Sequence, residues 1–302
     1  MLTKLSTHPG HDGAVYALER GMNTNEFYSG GSDRVVSLWD LTGELPPQGL
    51  VNVGSIIYSL RLIPEMHLLV IGVSSGAFHV IDLKEKKEIR LIKHHTSGIF
   101  DCVYSLKHNK LFLCSGDGSI SAWSLPDFGL IKTVGLCKEK VRGLAINSDE
   151  SLLAVACGDG SIRIFDTDTF SQVKDFAAHQ ASSNCVAFHP ENNYMLSGGR
   201  DAMLRVWDAK NFTLLKEIPA HNYAIYSISF SPDKKFFATG SRDKTLKIWN
   251  AGDQSFLFRA DKEKADGHTH SVNKTLWTNY KNVLLSGGDD RKVISWDVVS
   301  SK

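Results

Sequence analysis

"GSRDKTLKIWN", residues 240–250, is the stretch on which the fold turns. An aspartate, Asp243, stands six residues ahead of Trp249, after a Gly-Ser turn and before an alternating "TLKIW". The same grammar recurs in "GSDRVVSLWD" (31–40), "SGDGSISAWS" (115–124), "CGDGSIRIFD" (157–166), "GGRDAMLRVWD" (198–208) and "GGDDRKVISWD" (287–297). A catalytic aspartate is needed once. Near-copies along the chain predict a structural task performed many times.

The copies keep a strict period, the mark of a repeat architecture. The tryptophan slot falls at Trp39, Ile81, Trp123, Phe165, Trp207, Trp249 and Trp296, with separations of 42 five times and then 47. Six residues earlier lies the aspartate slot: Asp33, Ser75, Asp117, Asp159, Asp201, Asp243, Asp290. A further 22 residues earlier lies a histidine slot: His11, Val53, His95, Cys137, His179, His221, His268. The extra length is a five-residue insertion before the last unit, within 252–268. Each unit reads as short strands. "AIYSISF" (224–230) alternates, "SPDKK" turns, "FFATGS" (236–241) returns, "RDK" turns tightly and "TLKIWN" alternates again. "SFLFRA", or "FTLLKEI" (212–218) one unit earlier, leads to the next histidine slot. No stretch carries sustained helical periodicity. Four short antiparallel strands per unit, in seven units, predict radial blades.

These residues resemble the tryptophan–aspartate (WD) repeat β-propellers, over residues 2–302. Three Trp-Asp dipeptides (39–40, 207–208, 296–297) are intact and Trp249-Asn250 is close. The resemblance implies an all-β, seven-bladed propeller with four antiparallel strands per blade, filling residues 1–302 as one domain. Because units begin at the inner strand, "LTKLSTH" (2–8) is expected to close the ring as the outer strand beside "KVISWDV" (292–298). It also implies a hydrogen-bonded set of His, Ser or Thr, Asp and Trp in each complete unit. Four such sets are present: His11–Ser29–Asp33–Trp39, His179–Ser197–Asp201–Trp207, His221–Thr239–Asp243–Trp249 and His268–Ser286–Asp290–Trp296. The chemistry is coherent, since a buried carboxylate needs donors and an indole N–H needs an acceptor. Unit three has Leu113 in the hydroxyl slot, unit four keeps Asp159 alone, and unit two has lost all four. Those three are expected to rest on apolar packing, and whether unit two makes a regular blade is open.

Function is bounded more loosely. Thirty-four Lys plus Arg against 33 Asp plus Glu leave a formal charge of +1, no global reason to bind a polyanion. "MLTKLSTHPGHDG" lacks the apolar run of a signal peptide, and no segment reaches the roughly 18 apolar residues of a membrane helix. Five scattered cysteines without a CxxC pair suit reduced thiols and a cytoplasmic setting. Four equivalent Ser-His-Asp groups argue for a scaffold rather than a hydrolase. His94-His95 and His268-x-His270 lack the company a metal site needs. The cysteines read as packing residues, so neither metal nor cofactor is expected. The run "KEKKEIRLIKHH" (84–95) mixes signs and alternates like a solvated outer strand.

In the WD family three slots per unit face the mouth of the central channel: three and five residues after the histidine slot, and one before the aspartate. The second of these reads Tyr16, Tyr58, Phe100, Arg142, Asn184, Tyr226, Asn273. With Lys140, Arg200 and Arg242 from the other slots, Tyr16, Tyr58, Phe100, Arg142 and Tyr226 form the expected partner-binding set. Tyr and Arg are the types that concentrate interface energy. The rings could instead plug the channel mouth. The expectation is a non-catalytic scaffold, monomeric outside its complexes, that binds a protein or peptide segment on this face, with no membrane role. The alternatives are a small-molecule or metal-binding catalytic propeller of hydrolase type and an RNA-associated scaffold. Only one acid, Asp289, and no histidine falls among the 21 mouth slots, which disfavours catalysis.

Overall fold

The computed structural model describes residues 1–191 and 193–299. It holds seven separate four-stranded antiparallel sheets. Blade one runs Val15–Arg20, Glu26–Gly31, Val35–Asp40 and Gln48–Asn52 from the channel outward. Blades two to six repeat this order within residues 57–93, 99–135, 141–177, 183–219 and 225–260. Blade seven contributes Val272–Trp277, Leu284–Gly288 and Val293–Val298, and its fourth strand is Leu2–His8 from the start of the chain. Leu2 pairs with Val298 and His8 with Val293. His8 also packs edge-on against Phe27 and Trp39 of blade one, so the closing strand touches both blades at the seam. Unit two, degenerate in sequence, makes a regular four-stranded blade.

The core is divided among the joints. Seven apolar clusters fill the seven gaps between neighbouring blades among the described residues. The second strands are buried on both faces, which is why they read "FFATGS" or "LLVIGV" without polar alternation. Outer strands such as Leu214–Pro219 face water and carry charge. The insertion before blade seven contains one short helix, Lys262–Ala265, capped by the Asp261 side chain. Lys4 of the closing strand reaches Asp266 at its end, at 2.7 Å.

One irregularity recurs in all seven blades. The inner strand skips a residue in its pairing with the second strand: Val15 pairs with Gly31 and Ala17 with Gly30, leaving Tyr16 out. The same β-bulge falls at Tyr58, Phe100, Arg142, Asn184, Tyr226 and Asn273. A bulge bends the strand and re-aims the unpaired side chain. Here it sits at the second mouth slot of every unit.

Candidate interaction face at the channel mouth

The four complete sets bond as connected chains. Asp243 accepts from His221 Nδ1 at 2.9 Å, His221 Nε2 meets Thr239 Oγ1 at 2.8 Å, and Trp249 Nε1 donates to that hydroxyl at 3.0 Å. Asp243 also takes the Asn222 and Thr245 amides, both at 3.0 Å, tying the loop between blades to the tight turn. Equivalent chains join His11, Ser29, Asp33 and Trp39; His179, Ser197, Asp201 and Trp207; and His268, Ser286, Asp290 and Trp296. Burial lowers the affinity of His95, His179 and His221 for a second proton, an effect only partly offset by their aspartates. Burial alone would raise the Asp243 pKa, but the bonds from His221 and Thr245 outweigh it and hold the carboxyl well below the usual range.

The expectation that blades two to four rest on apolar packing alone is corrected. In blade three Ser121 stands in for the missing hydroxyl: His95 Nε2 lies 2.8 Å from its Oγ and Trp123 Nε1 donates to it at 2.8 Å. Ser121 pairs directly across from Leu113, so the hydroxyl arrives from the third strand instead of the second. The corresponding residue of blade four, Arg163, donates to Asp159 at 2.9 Å. That of blade two, His79, bonds Glu88 at 2.6 Å. The signal was present two residues before each tryptophan slot. It is invisible until strand register makes the two positions neighbours.

At the mouth, Tyr16, Tyr58, Phe100, Tyr226, Arg142, Arg200 and Arg242 line one cavity of about 680 Å³. Lys140 lies beside it, its ammonium 5.6 Å from the Phe100 ring centre. The rings run as a row. Tyr16 and Tyr58 are 5.5 Å apart, Tyr58 stacks on Phe100 at 4.9 Å, and the Arg142 guanidinium lies 5.3 Å from the Phe100 centre. Two glycines make the shelf: a Cβ at Gly98 would meet Tyr58 at 2.7 Å, and one at Gly116 would meet Phe100 at 2.9 Å. Tyr16, Tyr58, Phe100 and Tyr226 are each half-buried, so they pack on one another or on the wall and still present area to solvent. Burial, with Asp289 and Tyr58 nearby, raises the Tyr16 pKa and keeps its hydroxyl neutral. Burial also lowers that of Arg142, partly offset by Tyr226. Tyr226 stands apart from the row, and Arg242 leans over the exposed Tyr223 at 5.9 Å. Asn184 and Asn273, at the remaining bulges, donate to Ile225 O and Val15 O and stitch neighbouring blades.

The sequence reading missed the charges deeper in the channel: Glu19, Arg61, Asp101 and Lys274. Arg61 lies 3.3 Å from Glu19 and donates to Cys102 O at 2.8 Å. Burial opposes the Arg61 charge, but Glu19 and other neighbours outweigh it and raise the pKa. Asp101 accepts the Leu144 amide at 3.1 Å and faces Lys274 at 3.9 Å. These residues stand six or eight places after the histidine slot, where other units have small or apolar residues.

The fold and its mouth therefore define a seven-bladed β-propeller with an open, aromatic-and-cationic channel entrance. The WD-repeat family pattern, described as "WD domain, G-beta repeat", matches residues 2–40, 86–124, 130–166, 170–208, 212–250 and 262–297, and the chain belongs to that family. It is similar to transcription factor unc-37 of Caenorhabditis elegans, 28% identical over 127 residues, 41% of this chain and 20% of that protein. It is also similar to the WD repeat-containing protein 91 homolog of Dictyostelium discoideum, 26% identical over 106 residues, 35% of this chain and 14% of that protein. The similarity thus spans a fifth or less of those relatives' lengths. The crystal structure of the WD40 β-propeller domain of Doa1 superposes with a TM-score of 0.86 at 16% identity, covering 99% of this chain and 98% of that one, a likeness of fold. Among the described residues no helix is long and apolar enough to cross a membrane.

Proposed function

We propose that the protein is a non-catalytic interaction scaffold that docks an extended protein segment across the channel mouth. The carrying observation is the row Tyr16–Tyr58–Phe100–Arg142: three rings and a guanidinium, delivered by bulges on four successive blades and left open to solvent. Rings offer contact area at low entropic cost, and arginines pair with carboxylates or carbonyl oxygens. The ligand is a segment rich in acidic or amide groups with an apolar anchor, lying along the row toward Arg200 and Arg242. A scaffold role also fits the membership in the WD-repeat family. The channel carboxylates do not favour catalysis, because Glu19 faces Arg61 and Asp101 is taken up by a backbone amide and Lys274. The same reading puts the protein in the cytoplasm, where its five free thiols stay reduced, and makes it a monomer until it meets its partner. Affinity purification with mass spectrometry tests it. Tyr58→Ala with Arg142→Ala is expected to lose the partner while circular dichroism and melting stay near wild type, since neither residue joins a hydrogen-bonded chain. Retention of every wild-type partner would overturn the reading.

A further inference from the structure

Blade four departs from the others at one corner. Its histidine slot holds Cys137, and two residues before Asp159 stands a second cysteine, Cys157. The ligand atoms of Cys137, Cys157 and Asp159 all lie within 4.8 Å of one another, the one such group of three among the described residues. The sequence expectation of no metal treated these cysteines as packing residues because the five cysteines fall at different slots in different units. The fold brings the two slots together at the head of every blade. In blade five the position of Cys157 is Gly199, where a Cβ would lie 2.2 Å from His179 Nδ1 and 2.5 Å from Asp201. Blades three and six carry Ser115 and Ser241 at this position with His95 and His221 in place, so a small side chain fits there in a blade of suitable geometry. In blade four the two slots hold Cys137 and Cys157.

We infer that Cys137, Cys157 and Asp159 form a binding site for a thiophilic divalent cation, zinc in the first instance. Two thiolates select zinc over magnesium or calcium. Zinc–sulfur bonds of about 2.3 Å in a tetrahedron put sulfurs about 3.8 Å apart, so the present spacing needs only a small closure. Binding expels the two thiol protons, and the two sulfurs and one carboxylate oxygen bind the ion, leaving a fourth place for water. Two thiolates and a carboxylate bring three negative charges against the ion's two positive ones, and Arg163 balances the remainder. Arg163 donates to Asp159 Oδ2 at 2.9 Å and also to the Leu136 carbonyl oxygen. Ser161 holds Asp159 Oδ1 through its hydroxyl at 2.6 Å and its amide at 2.9 Å. A carboxylate oriented by such partners is what a metal ligand requires. Cys157 is buried and Cys137 partly exposed, which supplies both a dry floor and an entry path. The Cys137 thiol donates to the Glu139 carbonyl oxygen at 3.2 Å, a bond that metal binding would replace. The ion would tie the loop between blades three and four to the turn at Asp159, the task that the His–Asp bond performs elsewhere.

The test uses the full chain, reduced, stripped with a chelator under anaerobic conditions, and titrated with Cd²⁺ and then with Zn²⁺ in competition. Expected are a thiolate-to-cadmium charge-transfer band saturating at one equivalent, displacement by zinc, and protection of Cys137 from alkylation in peptide mapping. Cys137→Ser abolishes the band, Arg163→Gln weakens binding roughly tenfold as an outer partner does, and Cys185→Ser leaves it unchanged. Because Cys137→Ser could disturb folding, the protection measurement on wild type stands by itself. Cadmium binding without protection of Cys137, a band that survives Cys137→Ser, or recovery of a Cys137–Cys157 disulfide from the metal-free protein in place of metal binding would each overturn the site.

Discussion

At the scale of the residue, the aspartate slot does more than accept hydrogen bonds. The residue after it is left-handed in every blade: Arg34, Gly76, Gly118, Gly160, Ala202, Lys244 and Arg291 all have φ between 64° and 89°. Glycine takes that conformation freely, whereas other residues pay roughly 1–2 kcal/mol. The glycines fall in blades two, three and four, which lack the second-strand hydroxyl, and Arg34, Ala202, Lys244 and Arg291 fall in the four blades that have it. Blade three closes its chain through Ser121 and still has Gly118, so the chain accepts either kind of residue at this turn. Asp243→Ala is expected to lose roughly 1–3 kcal/mol, the cost of unpaired buried donors. Adding Lys244→Gly should return part of that loss, and Ser75→Ala should change little; urea denaturation of the three variants decides. Ser121→Ala should cost nearly as much as a hydroxyl-slot mutation in a complete blade, about 1 kcal/mol. The same groups set the acid limb. His95, His179 and His221 have lowered folded pKa values, so the unfolded chain binds more protons and stability falls as pH drops through about 6.5. Asp117, Asp201, Asp243 and Asp290 are also lowered; their contribution is present above about 3.9 and is lost as pH falls through their folded values. Both terms have one sign, so the melting temperature should decline monotonically from pH 7 to 3, with the first drop near pH 6. A flat profile between pH 7 and 5 would show that the imidazoles do not contribute.

At the scale of the element, two features decide the architecture. The first is the closing strand. Leu2–His8 covers the edge of Val293–Val298, removing two open edges, and His8 packs on the Trp39 of the next blade. Deletion of residues 1–8 should lower the melting temperature by several times the roughly 2–4 °C that 1 kcal/mol is worth in a large domain. Removal of 300–302, which lie outside the described residues, provides the comparison, and equal effects would contradict the closure. The second feature is the bulge on each inner strand. It converts a position that regular pairing would bury between blades into one that faces the channel, which is why aromatic and basic residues are tolerated there.

At the scale of the whole molecule, the channel is held by charge pairs, one between neighbouring blades and one across the ring. Glu19 of blade one meets Arg61 of blade two, and Lys274 of blade seven approaches Asp101 of blade three. Removing one partner of a buried pair costs roughly 3–5 kcal/mol, and less here because the Arg61 side chain is 29% exposed. Arg61→Met should therefore destabilise, and the double variant Arg61→Met with Glu19→Gln should regain much of the loss. A double-mutant cycle by chemical denaturation measures that coupling. Additive losses would mean that the two charges do not sense each other across the channel wall.

The sequence by itself determined the number of blades, the strand order within a blade and the closing strand, and its resemblance to the WD family implied the four complete hydrogen-bonded sets. The reason is that the repeat depends on spacing along the chain, and the spacing of 22 and 6 residues survives where side chains have drifted. The rest needed the tertiary structure because it depends on contact between positions that spacing does not relate. Ser121 replaces the hydroxyl of blade three only because register sets it opposite Leu113. Cys137 and Cys157 meet only because the fold brings two blade-head slots together. Glu19 finds Arg61 across a joint between blades, and the row of Tyr16, Tyr58 and Phe100 becomes one surface only when the ring brings successive bulges to within ring-stacking distance.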